Sequence, residues 1–173
     1  MACERTPHST ITVAVVMNPE DTNPAGNVHG GVIMKHIDTA GGVVAFRHAR
    51  KNAVTACIDS LVFHHPVFVG DLLILKASLN YAGRTSMEVG VRVEAENLLT
   101  GEIRHTASAY LTYVALDERG KPTEVPPYVP VTDEERRRHC EALARRELRL
   151  AQREQTRRCG KVSGGGKDSS LST

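Results

Sequence analysis

The chain has no tryptophan, and its few Phe and Tyr residues bring the aromatic content to only 4% of 173 residues. Aromatics are thus scarce, though 40% hydrophobic residues suffices to build a core. Charge of one sign is also missing, with 22 Lys and Arg against 20 Asp and Glu. That argues against nucleic acid as a partner, because phosphate binding needs a clear positive surplus on one face. The cysteines Cys3, Cys57, Cys140 and Cys159 show no C-x-x-C spacing. They read as free thiols in a reducing compartment rather than as a disulfide framework. MACERTPHST lacks the apolar stretch of a signal peptide, and no run approaches the length of a membrane span. The expectation is one soluble, cytoplasmic domain with no membrane partner.

What is present is long-range order in the apolar pattern. Ile11, Val13 and Val15 alternate with their neighbours as in a strand, and Asn18 to Gly31 is an Asn/Pro/Gly-rich loop. From about Val32 to Ala49 apolar residues recur at Ile33, Ile37, Ala40 and Val44, which is a helical period. Four strand-like runs follow: Val54 to His65, Asp71 to Tyr81, Thr85 to Glu96 and Glu102 to Leu116. The third has the cleanest period of two, with Met87, Val89, Val91, Val93 and Ala95 on one face. Strands this long twist strongly, and a long apolar helix needs a concave surface to cover it. The predicted class is α+β, a curved antiparallel sheet wrapped around a long central helix. Thr132 and Glu135 have capping-box spacing ahead of a charged helix to about Arg158, whose Leu143, Leu148 and Leu150 make a thin apolar stripe. The expected divisions are a flexible N-terminus (1–10), the main domain (11–130), the charged helix (131–158) and a disordered Gly/Ser-rich tail (159–173).

The segment GNVHGGVIMKHIDTAGG, Gly26 to Gly42, combines polar residues with an apolar helical run. Gly30 and Gly31 stand where the loop becomes the helix, and free N–H groups there, with the helix dipole, favour developing negative charge. Asp38 follows about two turns further in, with Gly41 and Gly42 as small neighbours that open space beside it. A buried unpaired acid is costly. His29 at the helix start reads equally well as a cap. On these residues alone a structural polar pair and a functional site both stand.

HGGVIMKHIDTAGG resembles the segment of hotdog-fold acyl-CoA thioesterases in which a glycine pair precedes a helix bearing an acidic residue. MNPEDTNPAGNVHGGVIMKHIDTAGG, GRTSMEVGVRVEAENLLTG and ASAYLTYVALDERG are similar to the cytosolic acyl-CoA hydrolase group, from about Thr12 to Leu150. The resemblance implies a single hotdog domain that dimerises and assembles as a trimer of dimers, a hexamer, with active sites at the dimer interface. It places Asp38 at the catalytic acidic position and Asn27 at that of an asparagine contributed by the neighbouring protomer. Thioester hydrolysis would release a fatty or other carboxylic acid and CoA. Asp38 would act as general base or nucleophile, and Gly31, with Gly30 or His29, would hold the oxyanion. Coenzyme A is then part of substrate and product, and no separate cofactor or metal is expected.

For the CoA phosphates the candidates are Arg84, Thr85 and Ser86 by position in the resemblance, with Arg145 and Arg146 reaching from the charged helix. Arg84 reads otherwise as a turn residue, and Arg145 and Arg146 as an exposed face paired at i±4. The histidines show no HExxH spacing. Arg136, Arg137 and Arg138 follow Asp133, Glu134 and Glu135, which suggests a self-compensated helix start. Two other readings stand beside hydrolysis: a non-catalytic acyl-CoA-binding module with a regulatory role, and a hydratase using His29.

Overall fold

Side-chain alternation in the long strands is what builds the wall of this molecule. The computed structural model describes residues 9–163, with side chains for 9–156. Strands β1 (Thr10–Val16), β2 (Asn52–Phe63), β3 (Asp71–Ala82), β4 (Ser86–Asn97) and β5 (Ile103–Leu116) form one sheet in the order β1-β3-β4-β5-β2. Every neighbouring pair is antiparallel. Met87, Val89, Val91, Val93 and Ala95, the predicted face of β4, are all buried. Irregular register in β2–β5, β3–β4 and β4–β5 adds local bends to the twist, and the sheet curls.

Helix α1 (Gly30–Ala49) lies in the concavity, touching all five strands. The predicted stripe of Ile33, Ile37, Ala40 and Val44 is buried against them. The helix begins at Gly30, two residues earlier than the apolar period suggests. The reason is capping: Nδ1 of His29 accepts the Gly31 N–H at 2.9 Å, which satisfies a donor that the first turn would leave open. At the other end Arg50 takes a left-handed conformation and returns its N–H to the Phe46 carbonyl.

Helix α2 (Asp133–Ser163) starts with the predicted capping box, Thr132 and Glu135 bonding each other's backbone N–H. It crosses the convex face over four adjacent strands. His139 meets the Asn80 carbonyl of β3, Arg145 pairs with Glu88 of β4 and stacks on Tyr110 of β5, and Arg149 pairs with Asp59 of β2. The docking face is thus Glu135, His139, Ala142, Arg145 and Arg149, a helical period carried mostly by charge. The predicted stripe of Leu143, Leu148 and Leu150 is exposed instead. The basic run is compensated as expected, through Arg136–Asp133, Arg137–Glu134 and Arg138–Glu134.

The expected boundaries shift at both termini. β1 already includes Thr10, and α2 continues past Arg158 to Ser163, into the segment expected to be disordered. Residues 1–8 and 164–173 of the predicted flexible N-terminus and tail lie outside the described residues.

Candidate active site

Asp38 sits half-buried on the third turn of α1, on the flank that faces β2 and β5. Thr55 of β2 donates its hydroxyl to Asp38 Oδ1 at 2.5 Å. Tyr113 of β5 donates to the Asp38 backbone carbonyl at 2.9 Å and lies 3.4 Å from Oδ1. Thr55 and Tyr113 are register partners, so one rung of the sheet brings both hydroxyls to the same carboxylate. Neither residue was singled out from the sequence. A threonine or tyrosine in a strand is ordinary, and only the pairing register shows that these two face the helix at Asp38.

Gly41, beside Asp38, does different work from what was expected. A Cβ on Gly41 would lie 2.5 Å from the Tyr113 hydroxyl oxygen. The space that Gly41 leaves is therefore filled by Tyr113 rather than open to a ligand. Burial of Tyr113 raises its phenol well above the ordinary value, and the nearby Asp38 charge pushes the same way. It stays a neutral donor throughout the physiological range.

The loop before α1 is built around two asparagines. Asn23 accepts the Gly26 N–H in a tight turn, where Gly26 has a φ of +84° that favours glycine. Asn23 Nδ2 then donates to Asn27 Oδ1 at 2.5 Å, and the two backbones exchange a further bond at 2.8 Å. Asn23, Asn27, Gly30, Phe63 and His64 line a cleft of about 320 Å³ at the helix start. Asp38 is not among its walls. It lies eight residues beyond Gly30, or about 12 Å along the helix. Within one protomer, then, the structure brings Asn27, His29, Gly30 and Gly31 together and leaves Asp38 apart from them. The Gly31 N–H is also already bonded to His29, so an incoming oxyanion would have to displace that ring.

Arg84 and Thr85 stand in the β3–β4 turn, and Ser86 opens β4. Met87, the next residue, pairs with Tyr113 across β5 from Thr55, so the turn flanks the same end of the sheet as Asp38. The Arg84 side chain is exposed, while its carbonyl accepts the Val125 N–H. Arg146 lies 5.7 Å from the Tyr81 ring, beside Gly83 of the same turn. Arg145 is placed differently, with its guanidinium committed to the buried Glu88. Among the described residues no group of three or more His, Cys, Asp or Glu is arranged to hold a metal ion. No helix among them is long and apolar enough to cross a membrane.

The fold and the sequence are both shared with known proteins. The thioesterase superfamily profile matches residues 25–102. YkhA of Bacillus subtilis, named an uncharacterized acyl-CoA thioester hydrolase, is 42% identical over 127 residues, covering 73% of this chain and 74% of its own. A hexameric acyl-CoA thioesterase solved without ligand superposes with a TM-score of 0.82 at 42% identity, covering 86% of this chain and 96% of its own. An acyl-CoA hydrolase of Staphylococcus aureus, solved with butyryl-CoA, CoA and CoA disulfide, gives 0.83 at 34% identity, covering 93% and 98%. Variants of that enzyme with an aspartate, an asparagine or a threonine changed to alanine have been solved as well. In its sequence the asparagine precedes the aspartate by fifteen residues, and the threonine follows it by seventeen. The fold is thus shared with proteins described as acyl-CoA thioesterases and acyl-CoA hydrolases. The chain belongs to the thioesterase superfamily, among the hotdog-fold acyl-CoA thioester hydrolases.

Proposed function

We propose that the protein hydrolyses acyl-CoA to a carboxylic acid and CoA at sites shared between protomers of a homo-oligomer. The observation that carries this reading is the Asp38–Thr55 hydrogen bond on the inner face of the sheet. Thr55 stands seventeen residues after Asp38, and Asn23 fifteen before it. These are the spacings of the three residues replaced in the S. aureus enzyme. The sequence reading gave the asparagine role to Asn27. Spacing favours Asn23 as the group that meets substrate, with Asn27 holding it through the Nδ2–Oδ1 bond.

Asp38 takes a proton from water as the water oxygen attacks the thioester carbonyl, or attacks that carbon itself to give a transient anhydride, which water later hydrolyses to the carboxylic acid and free Asp38. The C–S bond then breaks and CoA leaves as thiolate, a stable leaving group that needs little acid assistance. Backbone N–H groups at Gly30 and Gly31 stabilise the tetrahedral oxyanion. The gap of about 12 Å along α1 between these glycines and Asp38 supports sites completed by a second copy. So do the unpaired outer edge of β2 and the exposed Val54, Ile58, Val43 and Phe46. A trimer of such dimers would match the hexameric relative. Arg84, Thr85, Ser86 and Arg146 are placed to meet the CoA phosphates, and Arg145 serves structure first.

The test is CoA release from several acyl-CoAs, followed with a thiol-trapping reagent, for the wild type and Asp38→Asn. Loss of about 10²–10⁴-fold in kcat with an intact oligomer is expected. Saturable acyl-CoA binding by the wild type without CoA release would identify a binding module instead. Hydration of enoyl-CoA without CoA release would point to the hydratase reading.

A further inference from the structure

Two hydroxyls reach the Asp38 carboxylate, and both choose the same oxygen. Thr55 Oγ1 donates to Oδ1 at 2.5 Å, and Tyr113 Oη stands 3.4 Å from that atom. Oδ2 has no protein partner among the described residues. An aspartate's terminal torsion is soft and nearly two-fold, so one hydrogen bond does little to define which oxygen points where. Thr55 supplies a single hydroxyl to one carboxylate oxygen.

Tyr113 is a stiffer support. It is 1% exposed, with its ring packed between β5 and α1. Its stronger bond, 2.9 Å to the Asp38 carbonyl, ties the helix backbone at the acid directly to the sheet. The fit is reciprocal, since only a glycine at position 41 leaves room for the phenol.

We infer that Tyr113 is a positioning residue of the hydrolytic site, holding Asp38 so that Oδ1 is tied down beside Thr55 and Oδ2 faces the thioester. The inference rests on Asp38 being the reacting acid. Tyr113 touches no substrate atom in this scheme and acts through Asp38 and Gly41. Its contribution is preorganisation, which lowers the barrier without adding binding energy for the acyl-CoA.

A merely space-filling Tyr113 would tolerate loss of its hydroxyl, and kinetics separate the two roles. Wild type, Tyr113→Phe, Gly41→Ala, their double variant, Thr55→Val and Asp38→Asn are compared for kcat, KM, oligomer mass and Tm. Tyr113→Phe keeps the ring and should lower kcat roughly tenfold with KM within about twofold. Thr55→Val should act in the same direction. Gly41→Ala should lower kcat at least as much, because its methyl displaces the hydroxyl, and adding Tyr113→Phe to it should cost little more. A Tyr113→Phe enzyme with wild-type kcat, beside an inactive Asp38→Asn, would overturn the positioning role alone. Full activity in Asp38→Asn would remove the reading of the site and this inference with it.

Discussion

Arg145 pairs with Glu88 at 2.7 Å while its guanidinium lies 3.7 Å over the Tyr110 ring, so one side chain pins α2 to two strands. Glu88 is buried, and Asn80 is its other neighbour at 3.4 Å. Arg145→Ala would leave a buried carboxylate uncompensated, at a cost of about 3 kcal/mol. The expected outcome is a lower denaturation midpoint with KM for acyl-CoA unchanged. A rise in KM at unchanged stability would instead restore Arg145 as a phosphate ligand, and Arg146→Ala serves as the comparison.

The asparagine pair gives a second test. Asn23→Ala removes the proposed substrate contact and should lower kcat roughly a hundredfold. Asn27→Ala only frees the Asn23 side chain and should cost about tenfold or less. Steady-state kinetics on both variants read the order, and the opposite order would return the role to Asn27.

His29 divides capping from catalysis. His29→Ala removes the acceptor for the Gly31 N–H, and an exposed cap of this kind is worth about 1 kcal/mol. The variant should melt earlier yet keep its kcat, because the N–H becomes free for the oxyanion. A large fall in kcat would give His29 a direct part in the chemistry.

Assembly is tested on the exposed apolar face of α1. Phe46→Asp introduces charge at a residue 44% exposed in the protomer, so the protomer fold should survive. Sedimentation should show smaller species, and hydrolysis should fall with the loss of shared sites.

On the convex face, Lys76 and then Arg92 hold the Glu94 carboxyl below its ordinary value of 4.5. A depressed folded-state value means that the pair stabilises the fold above that pH. The contribution is lost as pH falls through the depressed value. With half-exposed partners it is worth less than about 1 kcal/mol. Thermal melts of wild type and Glu94→Gln should therefore differ near neutral pH and converge in acid.

Much of this protein was legible in its sequence because the signals are periodic and local. The stripe Ile33, Ile37, Ala40, Val44 and the alternation Met87 to Ala95 each declare an element and its buried face. The Thr132–Glu135 cap works within four residues. Asp38 stood out because an acid in an apolar helix is costly without a reason. Tertiary structure decided the rest. Thr55 and Tyr113 became partners of Asp38 only through strand register between segments almost sixty residues apart. Gly41 is explained by a ring arriving from β5, and α2 docks by arginines whose buried partners lie on other strands. Such contacts leave no period in the chain, because the charge or hole on one segment is matched by a residue on another. The apolar pattern sets the elements, and close packing between them sets which side chains surround the acid.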